Sequence, residues 1–285
     1  MRSLIYTNPL GQSVTFYHGP YVMSSLEGVD MPDVNEQEQK APYQDGTTYL
    51  DSLFSPRTIV AKGAIIDIHA LGPIFTARQT LVSVLNPKNG QGVLTYANDN
   101  ATYTAVCTAK VTLPNKPANE PTQKFMVEFY CNDPYLYSSV QSSILLALVT
   151  GGFTFPFTFP KTFGTYVGNV ATPAPNIGDS VTPVSIAITG PCTNPVITNT
   201  TTGELIKCNI TLNPGDVLTI NTKQGSKSIV LNAASGGLSN QMGTLDPTST
   251  FWQLAIGNNQ ILFSDDNPNG AESCTVTWFN RFSGT

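Results

Sequence analysis

The stretch "NPGDVLTINTKQGSKSIVLN", Asn213 to Asn232, contains the clearest structural pattern in the chain. Leu218 and Ile220 alternate with more polar neighbours in its first half, and Ile229 and Leu231 do so in its second half. Apolar residues at every second position are typical of a β-strand with one buried face. The stretch therefore predicts two strands with a turn between them.

Turn-forming residues surround these two strands. The sequence Gln-Gly-Ser lies between them at 224–226, and Pro214, Gly215 and Asp216 come before the first strand. Proline fixes φ, glycine tolerates positive φ, and an aspartate carboxylate accepts hydrogen bonds from nearby backbone N–H groups. No residue of this hairpin is suited to catalysis, so the stretch predicts architecture and not chemistry.

Short strands with turn signals recur about every eight to twelve residues in the second part of the chain. We predict that residues 176–285 form an antiparallel β-sandwich. Residues 1–150 contain similar alternating strands and one helix candidate, which predicts an α+β first domain. The predicted fold class is therefore mainly β.

The helix candidate is the segment "PIFTARQTLVSVLNP", about residues 73–86. Pro73 suits a first helical turn, and Pro87 ends the helix because proline disfavours the helical conformation at the residue before it. The apolar stripe predicted to be buried consists of Ile74, Ala77, Leu81, Val82 and Leu85.

Two segments are predicted to lack regular structure. Residues 151–175 are rich in Phe, Pro and Gly, and we interpret them as an ordered linker, because a disordered linker would contain few aromatic residues. The polar segment Asn35–Lys40 is predicted to be a solvated loop.

Composition argues against several classes of partner. Charged residues make up only 12% of the 285 residues and the net charge is −5, whereas binding to nucleic-acid phosphates requires clustered Lys and Arg. The most apolar run, Ile144–Val149, is far shorter than the ~20 residues that span a bilayer, so no membrane insertion is expected. The N-terminus has no recognisable secretory signal, which predicts a protein made and kept in a cytoplasm.

The cysteines are widely spaced and form no CxxC pair. Such spacing indicates neither a disulfide framework nor a zinc site, and we expect buried, reduced thiols. No nucleotide or metal motif occurs at a suitable position, so no cofactor is predicted. The five residues are Cys107, Cys131, Cys192, Cys208 and Cys274.

Catalytic candidates are few. The two histidines are His18 and His69. Asp67 lies two residues before His69, so the two side chains would share one face of a strand, where a carboxylate can orient an imidazole. No nucleophile lies near them in the sequence. Glu128 has no acidic partner in the sequence for glycoside cleavage. We predict no catalytic residues and no enzyme activity.

One turn contains the residue types of a cation site. Asp265, Asn267 and Asn269 match the first half of an EF-hand loop. The match fails at the twelfth position, where Val276 replaces the glutamate, and the flanks are predicted strands. We interpret the segment as a hairpin turn, with a weak cation site as the alternative and no metal predicted.

Aromatic residues exposed on a sandwich can bind glycans. Trp252 and Trp278 are the candidates, and each lies beside a phenylalanine, Phe251 or Phe279, that points to the opposite face of its strand. Packing in the core or in an interface is the favoured interpretation, because aromatic side chains mostly supply buried area.

Several segments, read in order, resemble the distal tail protein (Dit) family of long-tailed, siphovirus-type bacteriophages. "LVSVLNPKNGQGVLTY" is similar to the end of the family's helix and the following strand, and "FMVEFYCNDPYLYS" to the final strand of its first domain. The chain from Asn176 onward resembles its galectin-like β-sandwich. The residues that carry these motifs are Leu85, Asn86, Pro87, Asp133, Pro134, Tyr135, Pro214, Gly215 and Asp216.

The resemblance implies a structural virion protein of the tail tip or baseplate. Members of the family form a six-subunit ring from their first domains, with the sandwiches projecting outward. The implied partners are other copies of the chain, the tail tube protein, the tail-associated tip hub protein and receptor-binding proteins. The chain would be assembled in the host cytoplasm and reside at the virion tail tip.

The alternative function belongs to another class. A non-catalytic glycan-binding protein would contact host cell-wall polysaccharide through Trp252 or Trp278. Retention of the protein on host-wall polysaccharide, lost when Trp252 or Trp278 is changed, would favour it.

Overall fold

The computed structural model describes residues 3–17, 19–66, 74–115, 122–147, 149–150, 165–166, 170–267 and 272–285. The chain divides into two compact units. The first contains Met1–Ser139 and Phe282–Thr285, and the second contains Val140–Arg281. The chain therefore leaves the first unit, forms the second, and then returns to the first.

The first unit is built on one large antiparallel sheet. Its elements are β1 (Ser3–Thr7), β2 (Ser13–Thr15), β3 (Tyr21–Glu27), β4 (Val34–Gln39), β5 (Thr48–Phe54), β6 (Arg57–Ile66), α1 (Ile74–Val84), β7 (Gly92–Ala97), β8 (Thr102–Thr112), β9 (Thr122–Cys131) and β10 (Leu136–Ser138). The strands of the sheet follow the order β2-β1-β7-β8-β9-β6-β3, and β10 pairs with β8. A short 3-10 helix, Pro87–Asn89, follows α1.

The core of the first unit lies on one face of this sheet. Alternate residues of β1, β6 and β9, such as Leu4, Ile59 and Phe129, are fully buried, and α1 packs against β6 and β2. Burial of alternate strand residues against one helix stripe accounts for the α+β organisation.

The predicted helix is confirmed, with one error in its buried stripe. The buried helix residues are Ile74, Ala77, Leu81 and Val84, whereas Val82 is 52% exposed. Each residue of a helix is rotated by about 100° from the residue before it. The Val82 side chain therefore points about 100° away from that of Leu81 and lies outside the buried stripe. Leu85 is buried directly after the helix. Pro73 lies outside the described residues.

The second unit is a sandwich of two antiparallel sheets. Its strands are β11 (Ser142–Ala147), β12 (Val149–Thr150), β13 (Thr165–Tyr166), β14 (Thr172–Asn176), β15 (Thr182–Thr189), β16 (Cys192–Thr193), β17 (Val196–Asn199), β18 (Glu204–Lys207), β19 (Thr211–Leu212), β20 (Val217–Asn221), β21 (Ser228–Asn232), β22 (Leu238–Asn240), β23 (Gln253–Leu254), β24 (Gly257–Ser264) and β25 (Ser273–Trp278). A 3-10 helix, Met242–Thr244, precedes β23, and β26 (Arg281–Phe282) follows β25.

Sheet order explains the strand patterns of the second unit. One sheet has the order β11-β25-β15-β20-β21-β22, with β23 beside β15, and the other has the order β14-β24-β17-β18. Small pairs, β12 with β13 and β16 with β19, complete the pairing. Ile186 and Ile220 of the first sheet and Ile197 and Phe263 of the second are fully or almost fully buried. The predicted antiparallel sandwich is confirmed.

The hairpin predicted from Asn213–Asn232 is also confirmed. β20 pairs with β21 from Val217 opposite Asn232 to Asn221 opposite Ser228. Leu218 and Ile220 are fully buried, as the alternation predicts.

The predicted domain boundary at residue 150 is wrong by two strands, β11 and β12. β11 pairs with β25 of the sandwich, so the second unit begins near Val140. The end of the predicted linker is also strand, because β14 pairs with β24. Most of the predicted linker, 151–164 and 167–169, lies outside the described residues.

The interpretation of the segment after β24 as a hairpin turn is wrong as well. β24 and β25 belong to different sheets, so this segment connects the two layers of the sandwich. Among the described residues, α-helices are too short or too polar to meet the requirements for a membrane span.

Candidate functional site

The first unit carries a two-stranded β-hairpin, Val34–Phe54, which we call the arm. β4 and β5 pair with each other, from Val34 opposite Phe54 to Gln39 opposite Thr48, and form a sheet of their own. The prediction of a loop at Asn35–Lys40 is therefore wrong, although the segment is solvated as expected. Its strands lack the apolar alternation by which a half-buried strand is recognised.

Large apolar side chains of the arm are exposed. Tyr43, at the tip, is fully exposed and has a positive φ of 63°. A non-glycine residue in the left-handed region is costly and is often associated with function. The other exposed apolar residues of the arm are Val34, Tyr49, Leu50 and Leu53. Exposed apolar strands of this kind are typical of surfaces that pair with another chain.

The arm is also acidic. Between Val34 and Phe54 the sequence contains Glu36, Glu38, Asp45 and Asp51, against the single cation Lys40. A partner surface for the arm must therefore accommodate apolar side chains and negative charge together.

The base of the arm is fixed to the body of the first unit. The Ser55 N–H donates to the Asp33 carbonyl at 2.8 Å, which closes the two ends of the hairpin. The ring of Phe54, the last residue of β5, meets the ring of Tyr135 edge-on at a centroid distance of 5.8 Å. These contacts set the direction in which the arm leaves the sheet.

A buried arginine stabilises the region next to this base. Arg57 is 3% exposed, and its Nε donates to the Pro134 carbonyl at 2.8 Å. Its Nη1 donates to the Gly28 carbonyl at 3.3 Å, and its Nη2 donates to the carbonyl of Ser283. One guanidinium thus joins three separate segments of the first unit through backbone carbonyls.

The Asp-Pro-Tyr motif at 133–135 completes this arrangement. The Tyr137 hydroxyl donates to Asp133 Oδ2 at 2.6 Å, and the Tyr135 N–H donates to Asp133 Oδ1 at 3.3 Å. The motif therefore presents the Pro134 carbonyl to Arg57 and the Tyr135 ring to Phe54. The structure assigns it a role in supporting the arm.

A cleft of about 580 Å³ lies on the face of the sheet formed by β3, β6, β8 and β9. Its apolar lining includes Val22, Phe125 and Met126, and two lysines, Lys62 and Lys124, lie at its wall. Lys62 Nζ is paired with Glu27 Oε1 at 2.7 Å. The cleft thus combines apolar surface with positive charge.

The Leu-Asn-Pro motif at 85–87 ends one helix and begins another. Leu85 is buried, and its N–H donates to the Leu81 carbonyl at 2.9 Å. Asn86 Oδ1 accepts from the Lys88 N–H at 3.0 Å, and Pro87 opens the 3-10 helix. The residues serve as caps.

The tryptophans predicted as possible exposed aromatics are buried. Trp252 is 1% exposed and Trp278 is 3% exposed. Trp252 Nε1 donates to the Ile197 carbonyl at 3.3 Å, and Trp278 Nε1 donates to Asn280 Oδ1 at 3.2 Å. Their rings fill the sandwich core and satisfy their N–H groups there, so neither forms a glycan platform.

The remaining candidates give no assembled site. Both carboxylate oxygens of Asp265 are buried without a hydrogen-bond partner, and burial, followed by the charges of Glu272 and Asp266, raises the pKa of this carboxyl. Asn267 is exposed, and Asn269 lies outside the described residues. Within the described ranges no three His, Cys, Asp or Glu residues are grouped as metal ligands.

Of the four catalytic candidates, the structure describes only Glu128. His18, Asp67 and His69 lie outside the described residues. Glu128 lies 3.8 Å from Lys110 Nζ across β8 and β9, in a partly exposed ion pair of the sheet surface.

Two family models match the chain, one in each unit. Residues 18–131 match the phage tail protein RIFT-related domain, and residues 177–282 match the C-terminal domain of the siphovirus-type tail component. The two matches together span more than half of the chain. No curated protein matches the sequence.

Solved structures share the whole fold. The SPP1 Dit protein, described as a paradigm of the hub adsorption apparatus in phages that infect Gram-positive bacteria, is 14% identical with a TM-score of 0.70, over 99% of both chains. A chain of the phage P2 baseplate in its activated conformation with Ca is 10% identical with a TM-score of 0.57, over 100% of both chains.

The two domain matches occur in the order that the motifs predict, and each lies in a different unit of the fold apart from one residue at the end of the second match. The chain therefore belongs to the distal tail protein (Dit) family of siphovirus-type phages, structural components of the tail and baseplate.

Proposed function

We propose that the protein is the hub of a siphovirus-type tail tip, a homohexameric ring that joins the tail tube to the adsorption apparatus. The observation that carries this proposal is the arm. A hairpin with exposed Tyr49, Leu50 and Leu53 and a fixed base has the properties of a surface that is covered in an assembly.

A cyclic ring requires two different patches on each subunit, because the interface repeats head to tail. The arm supplies one patch. The cleft beside Lys62 and Lys124 supplies the other, since its apolar lining suits Leu50 and Leu53 and Lys124 suits the carboxylates of the arm, whereas Lys62 is already paired with Glu27. We infer that the arm of one subunit docks on this cleft of the next.

The partners follow from this arrangement. One side of the ring would contact the tail tube protein and the other the tail-associated tip hub protein, and the sandwich would offer attachment to receptor-binding proteins. Assembly would occur in the host cytoplasm and the ring would reside at the virion tail tip. The arm supports a scaffold, and the burial of Trp252 and Trp278 argues against the glycan-binding alternative that rested on them.

Native mass spectrometry and negative-stain microscopy of the purified chain test the proposal. We expect six-subunit rings at high concentration. Leu50→Asp with Leu53→Asp places carboxylates in the docked face and is expected to give monomers that retain wild-type circular dichroism. Leu238→Asp, at a still more exposed leucine on β22 of the sandwich, is the matched control and should leave the rings intact.

Charge-reversal variants test whether the arm docks on the cleft of the next subunit. Lys124→Glu should weaken the ring by repelling the arm, and adding Glu36→Lys with Glu38→Lys should restore it. A monomeric wild-type chain that also fails to form rings with the tail tube protein would contradict the hexameric hub.

A further inference from the structure

Two cysteines of the first unit lie side by side on neighbouring strands. Thr108 of β8 pairs with Tyr130 of β9, so Cys107 and Cys131 occupy the next opposed position of the same antiparallel register. Both residues are fully buried on the core face of the sheet. Side chains at opposed positions of antiparallel strands lie on the same face, so the two thiols are neighbours in the core, and a hydrogen bond between them affects the pKa of each.

This arrangement is compatible with a covalent bond. Opposed residues of antiparallel strands have Cα atoms roughly 4.5 to 5.5 Å apart, and disulfides join residues whose Cα atoms are roughly 4.4 to 6.8 Å apart. The strand pairing therefore places the two Cα atoms within the range that a disulfide spans.

The surroundings assign different roles to the two thiols. The hydrogen bond from Cys107 lowers the pKa of Cys131, and the Arg57 guanidinium lowers it further, against the effects of burial and of the Asp133 carboxylate. The pKa of Cys107 is raised, chiefly because its thiol donates that hydrogen bond and then because it is buried. Arg57 of β6 lies opposite Cys131 of β9, and its guanidinium favours a thiolate there, so Cys131 is assigned as the nucleophile of the reaction proposed below.

The cysteines of the sandwich provide an internal comparison. Burial raises the pKa of Cys192 to about 12 and that of Cys208 to about 11, and it also raises the pKa of Cys274. Thiols of this kind are unreactive at neutral pH.

We propose that Cys107 and Cys131 are an oxidisable dithiol, which a small peroxide converts to an intramolecular disulfide once the phage has left the reducing cytoplasm of its host. The timing rests on the proposed function, whereas the chemistry rests on the geometry of the pair alone.

The reaction balances with one peroxide. The Cys131 thiolate attacks one oxygen of hydrogen peroxide, the O–O bond breaks, and the other oxygen leaves and becomes water with the proton lost from Cys131. The Cys107 sulfur, on losing its proton, attacks the Cys131 sulfenic sulfur, and the sulfenic oxygen leaves as a second water. Two thiols are oxidised and one peroxide is reduced to two waters.

The disulfide would form slowly and would stabilise the folded first unit. It closes the loop between β8 and β9 and so restricts the unfolded chain. Burial of both sulfurs slows attack by the peroxide, and it equally slows later reduction. Slow formation and slow removal suit a particle that persists outside the cell.

Thiol counting on the folded, purified protein tests the chemistry. After hours in millimolar hydrogen peroxide, unfolding in iodoacetamide should give three alkylated cysteines instead of five, with peptide mapping that links Cys107 to Cys131. The oxidised form should unfold roughly 5 to 10 °C higher than the reduced form. Cys107→Ser should abolish the link and the shift, and Cys274→Ser should preserve both.

Three outcomes would overturn the dithiol: five alkylated cysteines, a link that involves a sandwich cysteine, or a link that forms only in denaturant. N-ethylmaleimide trapping of infected cells and of released particles tests the timing, and we expect reduced thiols inside cells and the disulfide in particles. Reduced thiols in particles would overturn the timing. Particles without this chain would refute the proposed function and leave the chemistry of the pure protein standing.

Discussion

Asp216 Oδ1 accepts a hydrogen bond of 2.8 Å from the backbone N–H of Ala234, which follows the hairpin that Asp216 precedes. Its Oδ2 accepts from the Asn213 N–H, also at 2.8 Å, and Gly215 between them has a φ of 86°. One carboxylate thus fixes both ends of the hairpin. The Pro-Gly-Asp sequence at 214–216 is therefore a structural motif in this chain.

This relationship predicts a pH dependence of stability. Hydrogen bonds from the backbone of Ala234 and Asn213 hold the pKa of Asp216 below its usual range, and hydrogen bonds led by that from the Thr248 hydroxyl lower the pKa of Asp246 to about 2. The unfolded chain then binds more protons than the folded chain in this range. The stabilisation is complete above about pH 5 and is lost as the pH falls from about 4 to 2.

Thermal unfolding of the second unit between pH 5 and pH 2 measures this effect. We expect Asp216→Asn to lower the unfolding temperature at pH 5 and to flatten its dependence on pH. Asp45→Asn removes one carboxylate from the arm and serves as the control. An Asp216→Asn variant with the same pH dependence as the wild type would contradict the assignment.

Trp252 is expected to contribute strongly to the sandwich core. Trp252→Ala should reduce the free energy of unfolding by about 3 to 5 kcal/mol, because it leaves a large cavity in the sandwich core. Urea unfolding followed by far-UV circular dichroism provides the measurement. Phe279→Ala, at a residue that is 39% exposed, should cost less than about 1 kcal/mol. Equal costs for the two variants would contradict the burial of Trp252.

Alanine substitutions at two glycines with similar φ values distinguish the cost of backbone strain from the cost of a steric clash. Gly28 has a φ of 82°, and a Cβ there would lie 2.2 Å from the Thr58 carbonyl oxygen, whereas at Gly46, with a φ of 75°, a Cβ meets open space. Gly46→Ala should cost about 1 kcal/mol in free energy of unfolding, from strain alone. Gly28→Ala should cost at least about 2 kcal/mol more, because β6 must move. Denaturant unfolding of both variants distinguishes the two effects.

The rate of trypsin cleavage should show whether the arm is accessible. Lys40 is exposed beside the tip, so we expect cleavage after Lys40 in the monomer and protection in an assembled ring. Phe54→Ala removes the ring contact with Tyr135 and should accelerate cleavage of the monomer several-fold. Peptide mapping of timed digests identifies the site, and Lys40→Gln is the control. Cleavage at equal rates in monomer and ring would show that the arm stays free.

Local patterns in the sequence predicted the elements whose stability depends on one buried face. Leu218 and Ile220 alternate because every second residue of β20 enters the core, and Ile74, Ala77 and Leu81 are spaced for a helix for the same reason. The mainly β fold class followed from these repeated alternations.

The arm and the domain boundary could not be predicted in this way. β4 and β5 form strands without a buried face, so their pairing leaves no periodic signal, and Leu50 and Leu53 are exposed despite their apolar character. The apolar run in β11 identified a strand but not its partner, since pairing with β25 depends on residues more than a hundred positions away.

The discontinuous first unit has a consequence for synthesis of the protein. Because Phe282–Thr285 belong to the first unit, a ribosome must translate the whole second unit before the first can be completed. Until then the buried guanidinium of Arg57 lacks its acceptor at Ser283, and Tyr103 lacks the Phe282 ring, 5.2 Å away in the finished fold. Nascent chains therefore finish folding of the arm-bearing unit only after translation of the sandwich.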